Sequence, residues 1–170
     1  MWTHRGQRRP AFADEPGPGQ ESVWDYPRPP VVVADSRRVQ VRAGDRLIAN
    51  SSSALRILET ASPPTFYIPA RDVGLQFLQA DSQRSYCEWK GEAAYWRLAE
   101  EPGRGPVGWS YASPRPAFAA IAGYFSFYPG RVECFVDDEP VRPQAGGFYG
   151  GWITSDVAGP FKGDPGTGGW

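Results

Sequence analysis

Histidine and lysine are nearly missing from this chain. His4 is the only imidazole, and Lys90 and Lys162 are the only side-chain amines among 18 lysines and arginines. A single histidine near the N-terminus leaves no material for a Ser–His or Cys–His nucleophilic pair, or for a histidine-based metal site. Cysteine is scarce too. Cys87 and Cys134 stand far apart and cannot supply a four-cysteine zinc site, so no metal and no cofactor is expected. In a reducing compartment both should remain thiols, with a Cys87–Cys134 bridge as the alternative. Charge of one sign is lacking as well: the formal net charge is −1. The basic cluster His4, Arg5, Arg8 and Arg9 is balanced by Asp14, Glu15, Glu21 and Asp25. No global field therefore recruits nucleic acid or an acidic membrane.

Long apolar runs are absent, so no membrane-spanning segment is expected. Arg8 and Arg9 lead into Pro10, Asp14 and Glu15 and not into an apolar stretch, which speaks against a secretory or twin-arginine signal. The expected localisation is cytoplasmic. There is no Walker-type phosphate loop and no dinucleotide-binding glycine fingerprint. The glycine-rich run Gly163 to Gly168 lacks a flanking strand and helix. Asp137-Asp138-Glu139 reads as an acidic turn between two short strands, because Asp favours turns.

What the chain does have is Gly 20, Pro 18 and an aromatic content of 14%. Frequent Gly and Pro break long helices and favour short strands joined by turns. The 170 residues suit one domain with tails, long enough to bury a core. Residues 1–20 read as a flexible leader, 21–143 as the domain, and 144–170 as a Gly- and aromatic-rich extension that docks on it. Within the domain, Val39–Val41 and Leu47–Ala49 flank Ala43-Gly44-Asp45 as a hairpin. Ala54–Thr60 and Thr65–Ile68 follow as strands. Asp72–Leu78 is the best short helix, with a helical turn at Ala117–Ile121. Tyr86–Leu98 forms a second hairpin, and Tyr124–Tyr128 is expected to pair with Val132–Val136 around Pro129-Gly130.

Acid–base chemistry is left to carboxylates, lysine, tyrosine and thiol. In a chain that otherwise writes its cations as Arg, Lys90 and Lys162 mark places where a compact ammonium is wanted, or chance at two exposed turns. If Gly91-Glu92 is a two-residue turn, Lys90 faces Ala93, Glu88 faces Tyr95 and Cys87 faces Trp96. Glu88, Lys90 and Tyr95 then share one face, while Cys87, Trp89 and Trp96 share a buried one. Cys87 should accordingly be a buried, inert thiol. Glu59 shares a strand face with Leu55 and Ile57, as a carboxylate at the edge of an apolar region or as a solvated strand end.

Several segments in order resemble a known bacterial family. They are Ile48-Ala49-Asn50-Ser51, Leu58-Glu59-Thr60, Pro64-Thr65-Phe66-Tyr67-Ile68-Pro69, Asp72-Val73, Cys87-Glu88-Trp89-Lys90-Gly91-Glu92-Ala93, Tyr95-Trp96, Trp109-Ser110-Tyr111, and Ile121-Ala122-Gly123-Tyr124 with Phe127-Tyr128-Pro129. Together they look like the motifs of the Domain of Unknown Function 427 family, over about residues 21–143. A nucleotidyltransferase-like label attached to that family is not matched here, since the paired aspartates after a Gly-Ser turn are missing. The resemblance implies a mainly β fold with one or two short helices, in which two antiparallel sheets meet over a cleft like a β-tent (Mss4-like). The zinc that some β-tent proteins hold with two CxxC pairs has no ligands here.

The expectation is a small-molecule-binding domain. Its pocket between the sheets would be lined by Glu59, Tyr67, Lys90, Tyr95, Trp96, Trp109 and Tyr111, with Glu59 and Lys90 sharing one cleft. One alternative is an enzyme using Glu59 as general acid or base and Lys90 to stabilise an anion. Another is an interaction module whose C-terminal aromatics dock a partner chain.

Overall fold

The computed structural model describes residues Met1–Trp170, and the chain is mainly β. The first strands are β1 (Glu21–Ser22), β2 (Val31–Asp35), β3 (Val39–Ala43), β4 (Arg46–Ser51), β5 (Ala54–Leu58) and β6 (Thr65–Tyr67). The middle of the chain holds β7 (Leu78–Cys87), β8 (Gly91–Leu98), β9 (Pro106–Ser110) and β10 (Phe125–Phe127). After these come β11 (Glu133–Val136), β12 (Glu139–Pro140), β13 (Arg142–Pro143), β14 (Trp152–Ile153) and β15 (Val157–Ala158).

Three antiparallel sheets make the body, in the orders β10-β9-β8-β7, β12-β11-β3-β4 and β2-β5-β6. Two short pairs, β13-β14 and the parallel β1-β15, tie the chain's ends to it. The β3–β4 hairpin forms where the sequence signals it, because Gly44 adopts φ +59° without a side-chain penalty. The Asp137-Asp138 turn between β11 and β12 has both residues at positive φ, a conformation aspartate tolerates better than most. Helical structure is confined to short 3₁₀ segments, the longest being Pro116–Ile121, kinked at Phe118, where a helical turn was expected. Ala70–Asp72 and Leu75–Phe77 replace the expected helix at Asp72–Leu78, which Gly74 interrupts.

Tyr124–Tyr128 and Val132–Val136 do not pair with each other, contrary to expectation. β10 pairs with β9 and β11 with β3, so the Pro129-Gly130 turn carries the chain from one sheet to another. A Phe125–Ile68 backbone exchange at 2.7 and 2.8 Å then joins the three-stranded sheet to the β10 edge.

The main core lies between the two four-stranded sheets. Val39, Val41 and Ile48 meet Val107, Phe127 and Leu98 there. Trp152 belongs to this core although it comes from the C-terminal stretch. It is fully buried, stacks on Phe66 at 4.8 Å and donates its Nε1–H to the Phe127 carbonyl at 2.9 Å. A second cluster packs Trp24, Val23 and Leu58 against Ile153 and Val157, which holds both chain ends on the domain. The N-terminal residues lie along this cluster, where Phe12 meets the Trp24 ring at 5.1 Å and Arg9 bonds Asp25 at 2.7 Å. A third cluster, centred on Ile57, Tyr67, Trp109 and Tyr111, forms the wall of the site.

Candidate functional site

The third cluster borders a cavity of about 300 Å³. Its walls come from β5 and β6 (Ile57, Thr65, Tyr67), from β7 to β9 (Ser85, Cys87, Tyr95, Trp109, Tyr111) and from loops carrying Glu59, Lys90 and Tyr128. The C-terminal stretch closes the remaining side with Gln144, Phe148, Tyr149, Gly150 and Lys162. Strand alternation explains the choice. Tyr95 lies opposite Trp109 in the β8–β9 register, and both side chains leave the sheet on the same face as Tyr111 two residues on.

The β7–β8 register departs from the expected one. Cys87 pairs with Gly91 and Tyr86 with Glu92, so the turn is the three residues Glu88, Trp89 and Lys90. Gly91 adopts φ +105°, and the Lys90 carbonyl accepts from the Arg115 backbone N–H at 2.8 Å. Cys87 consequently shares its face with Tyr95 and not with Trp96. It is half-buried in the cavity wall, correcting the expectation of a fully buried thiol. Trp96 is also corrected: it points to the opposite face, donates to Ser110 Oγ at 2.9 Å and packs against Phe125 at 5.3 Å. It is part of the main core and not of the cavity. The remaining expected residues, Glu59, Tyr67, Lys90, Tyr95, Trp109 and Tyr111, line the one cavity.

The aromatic wall is held by polar ties. Trp109 Nε1 donates to Tyr67 Oη at 3.2 Å, and the two rings meet edge-on at 6.2 Å. Tyr128 tilts against Trp109 at 4.6 Å, with the Arg131 guanidinium on its ring at 4.1 Å. Ser85 Oγ and Tyr95 Oη share a hydrogen bond of 2.6 Å. Burial pushes the Tyr111 and Tyr128 hydroxyls well above the ordinary phenol range, so both stand as neutral donors near pH 7.

Glu59 and Lys90 share the cavity but are not paired. Arg28 Nε donates to the Glu59 carboxylate at 3.2 Å, and the Arg28 side chain is fully buried. Arg28 also donates to the carbonyls of His4 and Thr60, at 3.1 and 3.0 Å, and lies 4.0 Å from the Trp2 ring centroid. Lys90 Nζ instead sits 5.9 Å from the Tyr111 ring centroid. Burial disfavours the Lys90 ammonium, but Tyr67, Cys87 and Glu59 outweigh this and hold its pKa above the ordinary lysine value.

Lys162 lines the same cavity from the far side and is 8% exposed. Its carbonyl accepts from Gln144 Nε2 at 2.5 Å, while Gln144 Oε1 accepts from the Gly151 N–H at 3.1 Å. Its Nζ lies 5.5 Å from the Tyr149 ring and 5.0 Å from the Trp2 ring. Burial and the neighbouring Arg28 charge lower its pKa, with Glu59 acting against them. Lys162, Cys87, Tyr128 and Arg28 were not among the expected site residues. For Lys162 the rarity of lysine was the one available signal. For Arg28, one of 16 arginines, there was none.

No group of three or more His, Cys, Asp or Glu side chains gathers as metal ligands. Chemically, the cavity can stack a planar group against tyrosine and tryptophan, donate from neutral hydroxyls and present two ammonium groups. Fold and site together define a mainly β protein with one aromatic, cationic cavity between its sheets, closed by its C-terminal stretch. The chain belongs to the family described as Domain of unknown function (DUF427), whose model matches residues 31–138. No curated protein matches it. Glu59, Lys90 and the aromatic wall lie inside the matched region, whereas Arg28 and Lys162 lie outside it.

Proposed function

We propose that this domain binds a small organic molecule in the cavity bounded by Tyr67, Trp109, Tyr111 and Lys90, and that it does so in the cytoplasm. One observation carries the reading: about 300 Å³ of space where convergent aromatic rings meet polar groups that include Glu59, Lys90, Gln144 and Lys162. Small-molecule sites combine an apolar body with polar groups that fix orientation. The enzyme alternative draws less support, because Arg28 holds the Glu59 carboxylate that acid–base work would need free. The interaction-module alternative draws less support, because of the C-terminal aromatics Trp152 is fully buried and only Phe148 and Tyr149 are exposed.

The test is native mass spectrometry of protein purified from its own host, together with thermal-shift and tryptophan-fluorescence titration against a small-molecule library. A retained mass, or compounds that raise the melting temperature and lose effect in Trp109→Ala, is the expected result. A folded protein that retains nothing and responds to no compound would remove the proposal.

A further inference from the structure

We infer that the ligand is an organic anion with a planar apolar body, its charged head met by Lys90 and Lys162; this rests on the reading that the cavity binds a small molecule. The first ground is convergence. The chain has two lysines against 16 arginines, and both reach one cavity from segments 72 residues apart.

The second ground is that neither ammonium is neutralised. Every ion pair in the protein is made by an arginine, and no side-chain hydrogen bond engages either Nζ. Both nitrogens rest near aromatic faces instead, Lys90 by Tyr111 and Lys162 by Tyr149 and Trp2. The cavity's one carboxylate, Glu59, is already matched by Arg28. The walls therefore carry an excess of two positive charges over the Arg28–Glu59 pair. For Lys162, whose ammonium burial and the Arg28 charge disfavour, an arriving counter-charge removes that cost. Lysine suits this task, because a compact ammonium can follow a carboxylate or phosphate without a fixed bidentate geometry.

The third ground is the body of the site. Tyr67, Trp109, Tyr111 and Tyr128 supply ring faces and edges for a flat apolar group. Lys162 and Gln144 lie beyond the family-matched region 31–138, so the C-terminal stretch contributes half of the anion recognition.

The experiment compares acids with their neutral amides: benzoate with benzamide, 4-hydroxybenzoate with 4-hydroxybenzamide, and indole-3-acetate with indole-3-acetamide. Binding is read by tryptophan fluorescence and thermal shift on the full chain. At least one acid should bind about tenfold or more tightly than its amide, as expected for a charge-assisted contact. Lys90→Met and Lys162→Met should each erase that preference, and the charge-preserving Lys162→Arg should keep most of it. Should Lys90→Met fail to fold, Lys162→Gln asks the same question without disturbing the β7–β8 turn.

Amides that bind as tightly as acids would overturn the anion inference while leaving the small-molecule reading intact. Silence from every acid would also overturn it. The small-molecule reading then stands if neutral library compounds still bind, and falls if they do not.

Discussion

Glu59→Gln removes the negative charge from the only ion pair in the cavity wall. Its partner Arg28 has no exposed side-chain surface, whereas the Glu59 side chain is 22% exposed. Stranding one member of a fully buried pair costs roughly 3–5 kcal/mol, and losing an exposed pair costs ~0–1 kcal/mol. This pair stands between those limits. Arg28 keeps the His4 and Thr60 carbonyls, and the glutamine amide oxygen can still accept from Nε. We expect a loss of about 2 kcal/mol, and hence a melting temperature about 4–8 °C lower for a chain of this length. The assay is differential scanning calorimetry at neutral pH, supported by urea denaturation. Glu101→Gln serves as the control, since it breaks the exposed Arg104–Glu101 pair and should lose no more than ~0.5 kcal/mol. Glu59→Gln also leaves the cavity more positive, so aryl carboxylates should bind it more tightly. Arg28→Met leaves Glu59 free to neutralise the lysines and should weaken aryl carboxylate binding. A Glu59→Gln protein that melts no lower than Glu101→Gln would refute the reasoning that Arg28 depends on this partner.

Three further outcomes are expected. A Cβ placed at Gly150 would run into the Trp109 indole, so Gly150→Ala should lower stability by roughly 1–3 kcal/mol and alter tryptophan emission; unchanged melting and emission would count against that packing. Cys87 in the cavity wall should react with a thiol reagent in the folded protein, while Cys134, at 3% exposure, should react only as fast as the chain unfolds; equal rates would contradict this. Burial raises the pKa of Tyr26, Tyr111, Tyr128 and Cys134 in the folded state. The unfolded chain therefore releases these protons first, from about pH 8.5 for the thiol and about pH 10 for the phenols, and stability must fall as pH rises through that range. Lys90, whose pKa is also raised, acts in the same direction as pH climbs past the ordinary lysine value. Urea midpoints that stay level from about pH 8 to pH 11 would argue against these burials.

Local chemistry was legible without coordinates. Alternating Val39-Gln40-Val41, the Gly44 turn, the strand at Ala54 and the acidic turn at Asp137-Asp138 each follow from residue preferences acting over a few positions. The mainly β class follows from the same preferences, whereas the expectation that Glu59, Tyr67, Lys90, Tyr95, Trp109 and Tyr111 lie together comes from the family motifs that run through those residues. The β7–β8 register was not legible. Moving the turn from Gly91-Glu92 to Glu88-Trp89-Lys90 shifts the pairing by five positions, from Cys87 opposite Trp96 to Cys87 opposite Gly91, and with a period of two an odd shift takes Cys87 off the face of Trp96. Nothing in the local pattern distinguishes the two turns. What selects between them is the packing of Trp96 on Phe125 and Ser110, which belong to other strands.

The partners of β10 and β11, the match of Arg28 to Glu59 and the arrival of Lys162 at the Lys90 cavity are of the same kind. Each joins residues far apart in sequence, and each is set by how the sheets stack and where the C-terminal stretch can bury Trp152. Composition decided that two lysines would stand apart from 16 arginines, but only the folded chain could bring both to one cavity and leave neither in an ion pair.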